Sequence, residues 1–297
     1  MTFCAGLSLR MTIFDAEKEL TQALLTIYDE REAAAISDSV MEHLLQWKKV
    51  DRILNKTLQL NQEQLVTLKK FREELSANKP LQYVIHEAWF MGMKLYVDEN
   101  VLIPRPETEE LVEWVLEDLN ADRKKGLKIL DIGSGSGCIA LALKKKFPEA
   151  KLISCDVSSG ALGVARANAD AQQVTIDFIE LDFLNNQTWN KLPAVDVIVS
   201  NPPYITLSEF DSLEKNVSQY EPHLALFVPD QTSLIFYEAI AQFAKSRLTT
   251  GGKIFAEINE KKASDVKKLL SRFGFSVPEI RKDLQGSDRL IKATRLL

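Results

Sequence analysis

Apolar residues recur at helical spacing through the first 79 residues. Leu20, Leu24, Leu25 and Ile27 form one stripe, Val40, Leu44, Leu45 and Trp47 a second, and Leu65, Leu68 and Phe71 a third. Steps of three and four place such residues on one face, so each stripe predicts an amphipathic helix. Ser37-Asp38-Ser39 reads as the start signal of the second helix and Asn61-Gln62-Glu63 as that of a later one. No glycine lies between Gly6 and Gly92, and no proline precedes Pro80. Residues 1–79 therefore read as a small helical domain.

The pattern changes at Pro80. Phe90-x-Gly92-x-Lys94-x-Tyr96-x-Asp98 alternates, which predicts a hairpin within a linker over 80–106. Pro106 followed by Glu107, Glu109 and Glu110 predicts a helix start, because proline suits the first turn and acids suit the positive helix end. From Lys128 strand and helix alternate. Strands are expected at 128–132, 151–155, 174–180, 195–200 and 253–257, with helices near 139–146, 161–169, 234–247 and 263–273. Two shorter strand-like pieces follow, at 276–281 and 289–294. Near-continuous apolar strands between helices predict an α/β domain over 107–297, built on a parallel sheet covered on both faces.

Composition narrows the class. The chain has 297 residues, 45% hydrophobic and 27% charged, with a net charge of −5 and a pI of about 5.5. That is a globular composition rather than a disordered one. It also lacks the basic surplus of a dedicated nucleic-acid binder; residues 1–79 carry 11 basic and 12 acidic side chains. Cys4, Cys138 and Cys155 have neither zinc-like spacing nor the number a disulfide scaffold needs, which predicts a reducing, cytoplasmic setting. No apolar run reaches the roughly 18 residues of a membrane span. Met1–Arg10 does not read as a signal peptide, and Met11 is an alternative start. His43, His86 and His223 form no metal-ligand spacing, so no metal is expected.

Candidate chemistry gathers at the ends of the predicted strands. Gly133-Ser134-Gly135-Ser136-Gly137 follows the first of them and precedes a helix. Such glycines allow a sharp turn and close approach of a ligand. The spacing G-x-G-x-G departs from the G-x-G-x-x-G of dinucleotide sites, and no Gly-Lys-Ser/Thr of a P-loop is present. Asp156 ends the second strand, where an acid can accept both ribose hydroxyls of an adenosine. Asp182 and Phe183 follow the third strand. Asp182 can receive an adenine amino group or simply cap a turn, and Phe183 can stack on the ring. The three strand ends describe an adenosine site with no demand for a pyrophosphate cradle, which favours S-adenosylmethionine over NAD. Cys138 stands at a helix start, which can favour a thiolate; a small packing residue is the simpler reading.

The fourth strand runs into Asn201-Pro202-Pro203-Tyr204. Ligands of open α/β sheets bind beyond the carboxyl ends of the strands. Two prolines remove two N–H donors, so the turn is rich in acceptors. Asn201 adds a side-chain oxygen and Tyr204 a flat face. This suits a planar NH₂ group, whose hydrogens can point at the Asn201 oxygen and the Pro202 carbonyl. A conjugated nitrogen is a poor nucleophile, and two acceptors help localise its lone pair toward an electrophilic methyl. Catalysis would then rest on orientation and electrostatics. A rigid structural turn is the plainer alternative.

With these motifs the chain resembles the HemK/PrmC family of release-factor glutamine methyltransferases. The matching pieces are Pro80-Leu81-Gln82-Tyr83, the run from Val101 to Glu109 that contains Ile-Pro-Arg-Pro-Glu-Thr-Glu, Asp131 to Gly137, Ser200 to Ile205, Glu221-Pro222 with Ala225-Leu226, and Lys282 to Gly286. The resemblance implies a Rossmann-like, class I S-adenosylmethionine-dependent methyltransferase domain behind a helical substrate-recognition domain. It implies methyl transfer to the side-chain amide nitrogen of the glutamine in the Gly-Gly-Gln motif of peptide-chain release factors, with S-adenosylhomocysteine as product. Gly133, Ser134, Gly135, Ser136, Gly137, Asp156, Asp182, Phe183 and Asn201 would hold the cofactor. Asn201, Pro202, Pro203 and Tyr204 would hold the glutamine, with Asn201, Pro202 and Tyr204 carrying the catalysis. The Arg105–Glu109 run would lie nearby.

Two departures stand out. Phe183 occupies a position where many relatives carry tryptophan. Asn259 replaces a glycine, which asparagine's tolerance of left-handed angles would accommodate. A monomer with neither membrane nor stable nucleic acid as partner is expected. The alternatives are an amino methyltransferase of adenine or another base, a methyltransferase of another protein glutamine, a non-catalytic binding module and an NAD-dependent oxidoreductase.

Overall fold

A computed structural model of the chain describes residues 11–122 and 126–296. Met1–Arg10, with the question of the alternative start and Cys4, lies outside them. The chain divides into two compact units, Met1–His86 and Glu87–Leu297.

The first unit is helical: α1 (Ile13–Leu24), α2 (Glu30–Leu45), α3 (Lys49–Leu54), α4 (Gln62–Ser76) and α5 (Leu81–Ile85). Its core joins Leu20 and Leu24 of α1, Val40 and Met41 of α2 and Leu68, Phe71 and Leu75 of α4. These are largely the residues of the three stripes. One start signal differs. Ser37-Asp38-Ser39 lies inside α2, and Asp29 caps that helix by accepting the Glu32 N–H at 2.8 Å. Asn61 caps α4 as expected, in a reciprocal pair with Gln64.

The second unit opens with a hairpin, β1 (Ala88–Phe90) and β2 (Met93–Leu95). The hairpin expected from the alternating run is present, with its turn at Met91-Gly92. Met91 and Gly92 both have positive φ, 49° and 74°, which matches the twist of a two-residue hairpin loop. The sequence sets this segment apart as a linker; in the structure Phe90, Met93 and Leu95 pack on Leu111 and Val115 within the second unit.

Behind the hairpin lie α6 (Pro106–Asp122), β3 (Lys128–Ile132), α7 (Cys138–Lys146), β4 (Lys151–Asp156), α8 (Ser159–Ala171), β5 (Asp177–Glu180), β6 (Val195–Ser200), β7 (Ile205–Thr206), α9 (Lys215–Tyr220), α10 (His223–Leu226), β8 (Phe227–Val228), α11 (Ile235–Arg247), β9 (Leu248–Glu257), α12 (Ala263–Arg272), β10 (Glu279–Lys282) and β11 (Asp288–Thr294). Seven strands form one sheet in the order β10-β11-β9-β6-β3-β4-β5. Neighbours from β9 to β5 pair in parallel, whereas β11 is antiparallel to both β9 and β10. β11 alone therefore runs against the other six, and the expected parallel sheet is a mixed one.

Alternation along each strand feeds two cores, as a pleat of period two requires. Leu130, Ile132, Ile153 and Ile198 pack with α11 and α12. Ile129, Leu152, Val197 and Val199 pack with α6 and α7. With helices on both faces, β6 is buried at every position. The chain order turns back between β3 and β6, so their carboxyl ends open a crevice for ligands. Among the described residues, no helix is long and apolar enough to cross a membrane.

Candidate active site

The loop after β3 is shaped by its glycines. Gly133, Gly135 and Gly137 have φ of +85°, +50° and +82°, angles that L side chains rarely adopt. The loop is tied to β4: the N–H groups of Gly133 and Ser134 donate to the Cys155 carbonyl at 2.9 and 3.0 Å. The Gly135 N–H donates to Asp156 Oδ2 at 3.0 Å, and Ser158 N–H to Asp156 Oδ1 at 2.9 Å. Asp156 thus orders the loop with one donor on each oxygen, and each oxygen keeps lone-pair capacity toward the crevice. Beneath the loop Ser154 donates to the buried Asp131 at 2.6 Å, and Ser134 sits 2.6 Å from the Ser154 hydroxyl. Burial pushes the Asp131 carboxyl up to about 7, with the negative charge of Asp156 adding to the rise.

A cavity of about 350 Å³ lies over this loop. Gly133, Ser134, Gly135, Ser136, Asp156, Asp182, Phe183, Asn201, Pro202 and Pro203 all line it. Gly137 does not. It precedes α7, and a Cβ there would sit 3.2 Å from the Ala165 Cβ, so this glycine serves helix packing. Asp182 holds its own turn by accepting the Leu184 N–H at 2.9 Å. The Phe183 ring is backed by Trp189 and Phe243, at 5.6 and 5.4 Å between centroids. Burial pushes the Cys138 thiol up to about 12, so it is a neutral packing residue.

A second cavity of about 390 Å³ meets the first at Leu102, Arg105, Asn201, Pro202 and Ala225. Tyr204 lines this second one only, with Val217, Glu257 and Arg289. The Asn-Pro-Pro-Tyr turn thus stands between two chambers, with Asn201 and Pro202 facing both. Ser200 fastens the turn from behind by donating to the Ile132 carbonyl at 2.7 Å. Asn201 Nδ2 donates to Thr108 Oγ1 at 3.0 Å. Thr108 donates to Glu257 Oε2 and Tyr204 to Glu257 Oε1, both at 2.8 Å. Burial raises the Tyr204 pKa well above the usual phenol value, as does the Glu257 carboxylate, so Tyr204 stays protonated. Arg105 pairs with the buried Glu221, which also accepts the Ile103 N–H at 3.3 Å.

In the sequence Thr108 falls only within a run expected near the site, and Glu221, Glu257 and Arg289 receive no role there. Glu257 had a usable signal, since it ends the strand beside β6. Asn259 also differs from expectation. Its φ is −68° instead of left-handed, and it accepts the Lys261 N–H at 3.0 Å.

The chemistry of the first cavity fits S-adenosylmethionine. Two carboxylates, Asp156 and Asp182, line it, and its one cation among the described lining residues, Arg105, is already paired with Glu221. Such a set suits hydroxyl and amino groups and gives a diphosphate no counter-charge. Sheet order, glycine loop, the acid after β4 and Asn-Pro-Pro-Tyr after β6 together define a Rossmann-like, class I methyltransferase. The family model "Methyltransferase small domain" matches residues 111–219 and "PrmC N-terminal domain" matches 15–85. A release factor glutamine methyltransferase of Flavobacterium psychrophilum is 43% identical, over 95% of this chain and 99% of its own length. Namesakes in Bacteroides thetaiotaomicron and Lactococcus lactis are 36% and 41% identical, over 93% and 78% of this chain and 98% and 83% of theirs. The chain belongs to the family of release factor glutamine methyltransferases.

Proposed function

We propose that this protein methylates the side-chain amide nitrogen (N5) of the glutamine in the Gly-Gly-Gln motif of peptide-chain release factors. The observation that carries the reading is the meeting of two cavities at Asn201 and Pro202. One chamber suits the cofactor, and the other offers a slot for a side chain. When bound, S-adenosylmethionine would supply an electrophilic methyl, the amide nitrogen giving its pair to the new C–N bond, the C–S pair staying on sulfur as S-adenosylhomocysteine and the displaced proton passing to water.

The chain's own residues bind and aim. Asp156 takes the ribose hydroxyls, Asp182 the adenine amino group and Phe183 the ring, while the glycine loop admits the ligand to close range. Asn201 Oδ1 and the Pro202 carbonyl accept the two amide hydrogens, which fixes the nitrogen and localises its lone pair. Pro203 stiffens the turn, and Tyr204 gives the amide plane a flat wall. Most of the acceleration comes from orientation. The helical unit helps to grip the release factor, and the protein acts as a cytoplasmic monomer with no stable nucleic-acid partner.

The test is methyl transfer from labelled S-adenosylmethionine to a release factor, to its Gly-Gly-Ala variant and to DNA. Label on the first alone is the expected result. Label on DNA, or none despite cofactor binding, overturns the substrate assignment.

A further inference from the structure

We propose that Thr108 and Glu257 are positioning residues that lock the Asn201 carboxamide with its oxygen toward the reacting nitrogen. The inference rests on the role of Asn201 proposed above and adds a cause for its orientation.

An asparagine amide can turn over by half a rotation, presenting oxygen or NH₂ to the same space. Only one of these orientations accepts a hydrogen from the substrate amide. The choice is settled by counting protons in the buried cluster behind it. Glu257 is 2% exposed, and each of its oxygens is 2.8 Å from a hydroxyl, Thr108 on one side and Tyr204 on the other. A carboxylate only accepts, and a hydroxyl has one proton to give. Thr108 therefore spends its proton on Glu257 and can only accept from Asn201, 3.0 Å away. Asn201 must meet it with Nδ2, which turns Oδ1 toward the junction of the two cavities. Burial raises the Glu257 pKa, and the Tyr204 and Thr108 hydroxyls and the charge of Arg289 act against that rise.

Placement supports the same conclusion. Thr108 lies in the first turn of α6, where threonine can bond a carbonyl of the preceding turn. Its hydroxyl instead reaches a strand end 149 residues away. The Tyr204 bond to the other Glu257 oxygen holds the far end of the same turn, so one carboxylate fixes both Asn201 and Tyr204.

Thr108→Val removes the hydroxyl with little change of shape, and Thr108→Ser keeps it. With a release factor and saturating S-adenosylmethionine, Thr108→Val should lower kcat by about tenfold or more, the scale of one lost hydrogen bond. Cofactor affinity should change by less than about twofold, and Thr108→Ser should recover most of the kcat. Full kcat in Thr108→Val with only a lower melting temperature overturns the proposal, as does a serine variant no better than the valine one. Should Thr108→Val fail to fold, Thr108→Ala replaces it: it removes the same hydroxyl and the only acceptor that faces Asn201 Nδ2 in the relay, so the same kcat loss is expected and unchanged kcat refutes the idea. If wild-type protein methylates no release factor, the proposed function fails, and solvent exchange of the Asn201 side-chain NH₂, read by NMR in selectively labelled protein, still decides the relay. Slow exchange in wild type and Thr108→Ser but not Thr108→Val supports it; equal exchange in all three overturns it.

Discussion

The Asp156 carboxylate accepts the Gly135 backbone N–H at 3.0 Å, so the acid that closes β4 also holds the turn that closes β3. The residue proposed to take the ribose hydroxyls therefore also orders the glycine loop. Asp156→Ala should weaken S-adenosylmethionine binding by about tenfold or more, since it removes a charge-assisted acceptor and loosens the loop. Titration calorimetry measures this; unchanged affinity would remove Asp156 from the site.

Asn201→Ala should separate binding from catalysis. Loss of a preorganised polar contact costs about 2.7–4 kcal/mol of barrier, or about 100- to 1000-fold in kcat. Cofactor affinity should change far less than kcat. Near-wild-type turnover would mean that the Asn-Pro-Pro-Tyr turn is only a scaffold.

Arg105 answers a buried charge. Glu221 is 3% exposed, and burial raises its pKa even with the Arg105 guanidinium beside it. Arg105→Ala should destabilise the fold by about 1–3 kcal/mol, because it leaves the buried Glu221 without its partner while Arg105 itself is 32% exposed. Adding Glu221→Gln should return part of that loss. Urea unfolding of both single variants and the double variant closes the cycle, and strict additivity would count against the pairing.

Asp131 makes stability depend on pH. Its folded pKa, about 7, lies above the ordinary aspartate value of 3.8. The folded state therefore binds the extra proton between those limits, and stability falls as pH rises from about 4 to about 7. Asp131→Asn keeps an oxygen for the Ser154 hydroxyl and removes the titration. Its stability relative to wild type should climb across that interval and level off above it. Parallel wild-type and variant curves in denaturant melts at pH 5 and pH 8 would refute the assignment.

Gly137 should prove structural. Alanine there would adopt a φ of +82° and press on Ala165 at 3.2 Å. A left-handed angle alone costs an L residue about 1–2 kcal/mol. Gly137→Ala should lower the melting temperature while leaving cofactor affinity close to wild type in whatever fraction stays folded. A large affinity loss without destabilisation would return it to the binding site.

Much was legible along the chain because the physics was local. The pleat repeats every two residues and the helix every 3.6, so β3 and β6 and most of α4, α11 and α12 follow from apolar spacing, whereas the first stripe runs past the end of α1 at Leu24. The misreadings have local causes too. A polar triplet suited to capping proved to be the middle of α2, because Asp29 lies one residue before the helix. The edge strand β5 is shorter than its apolar run, whose Val174 and Ile176 pack in the core without pairing.

The alternation of strand and helix, the glycine loop, the acid that ends β4 and the acceptor-rich turn after β6 are each written in consecutive residues or in a repeating period. The antiparallel entry of β11 into the sheet, the meeting of two cavities at Asn201 and the convergence of Thr108, Tyr204 and Glu257 behind it belong to the folded chain alone. Those relations join residues as far as 149 positions apart. A hydrogen bond between distant segments leaves no periodicity in either one, so the partners emerge only when the sheet order brings the strand ends together.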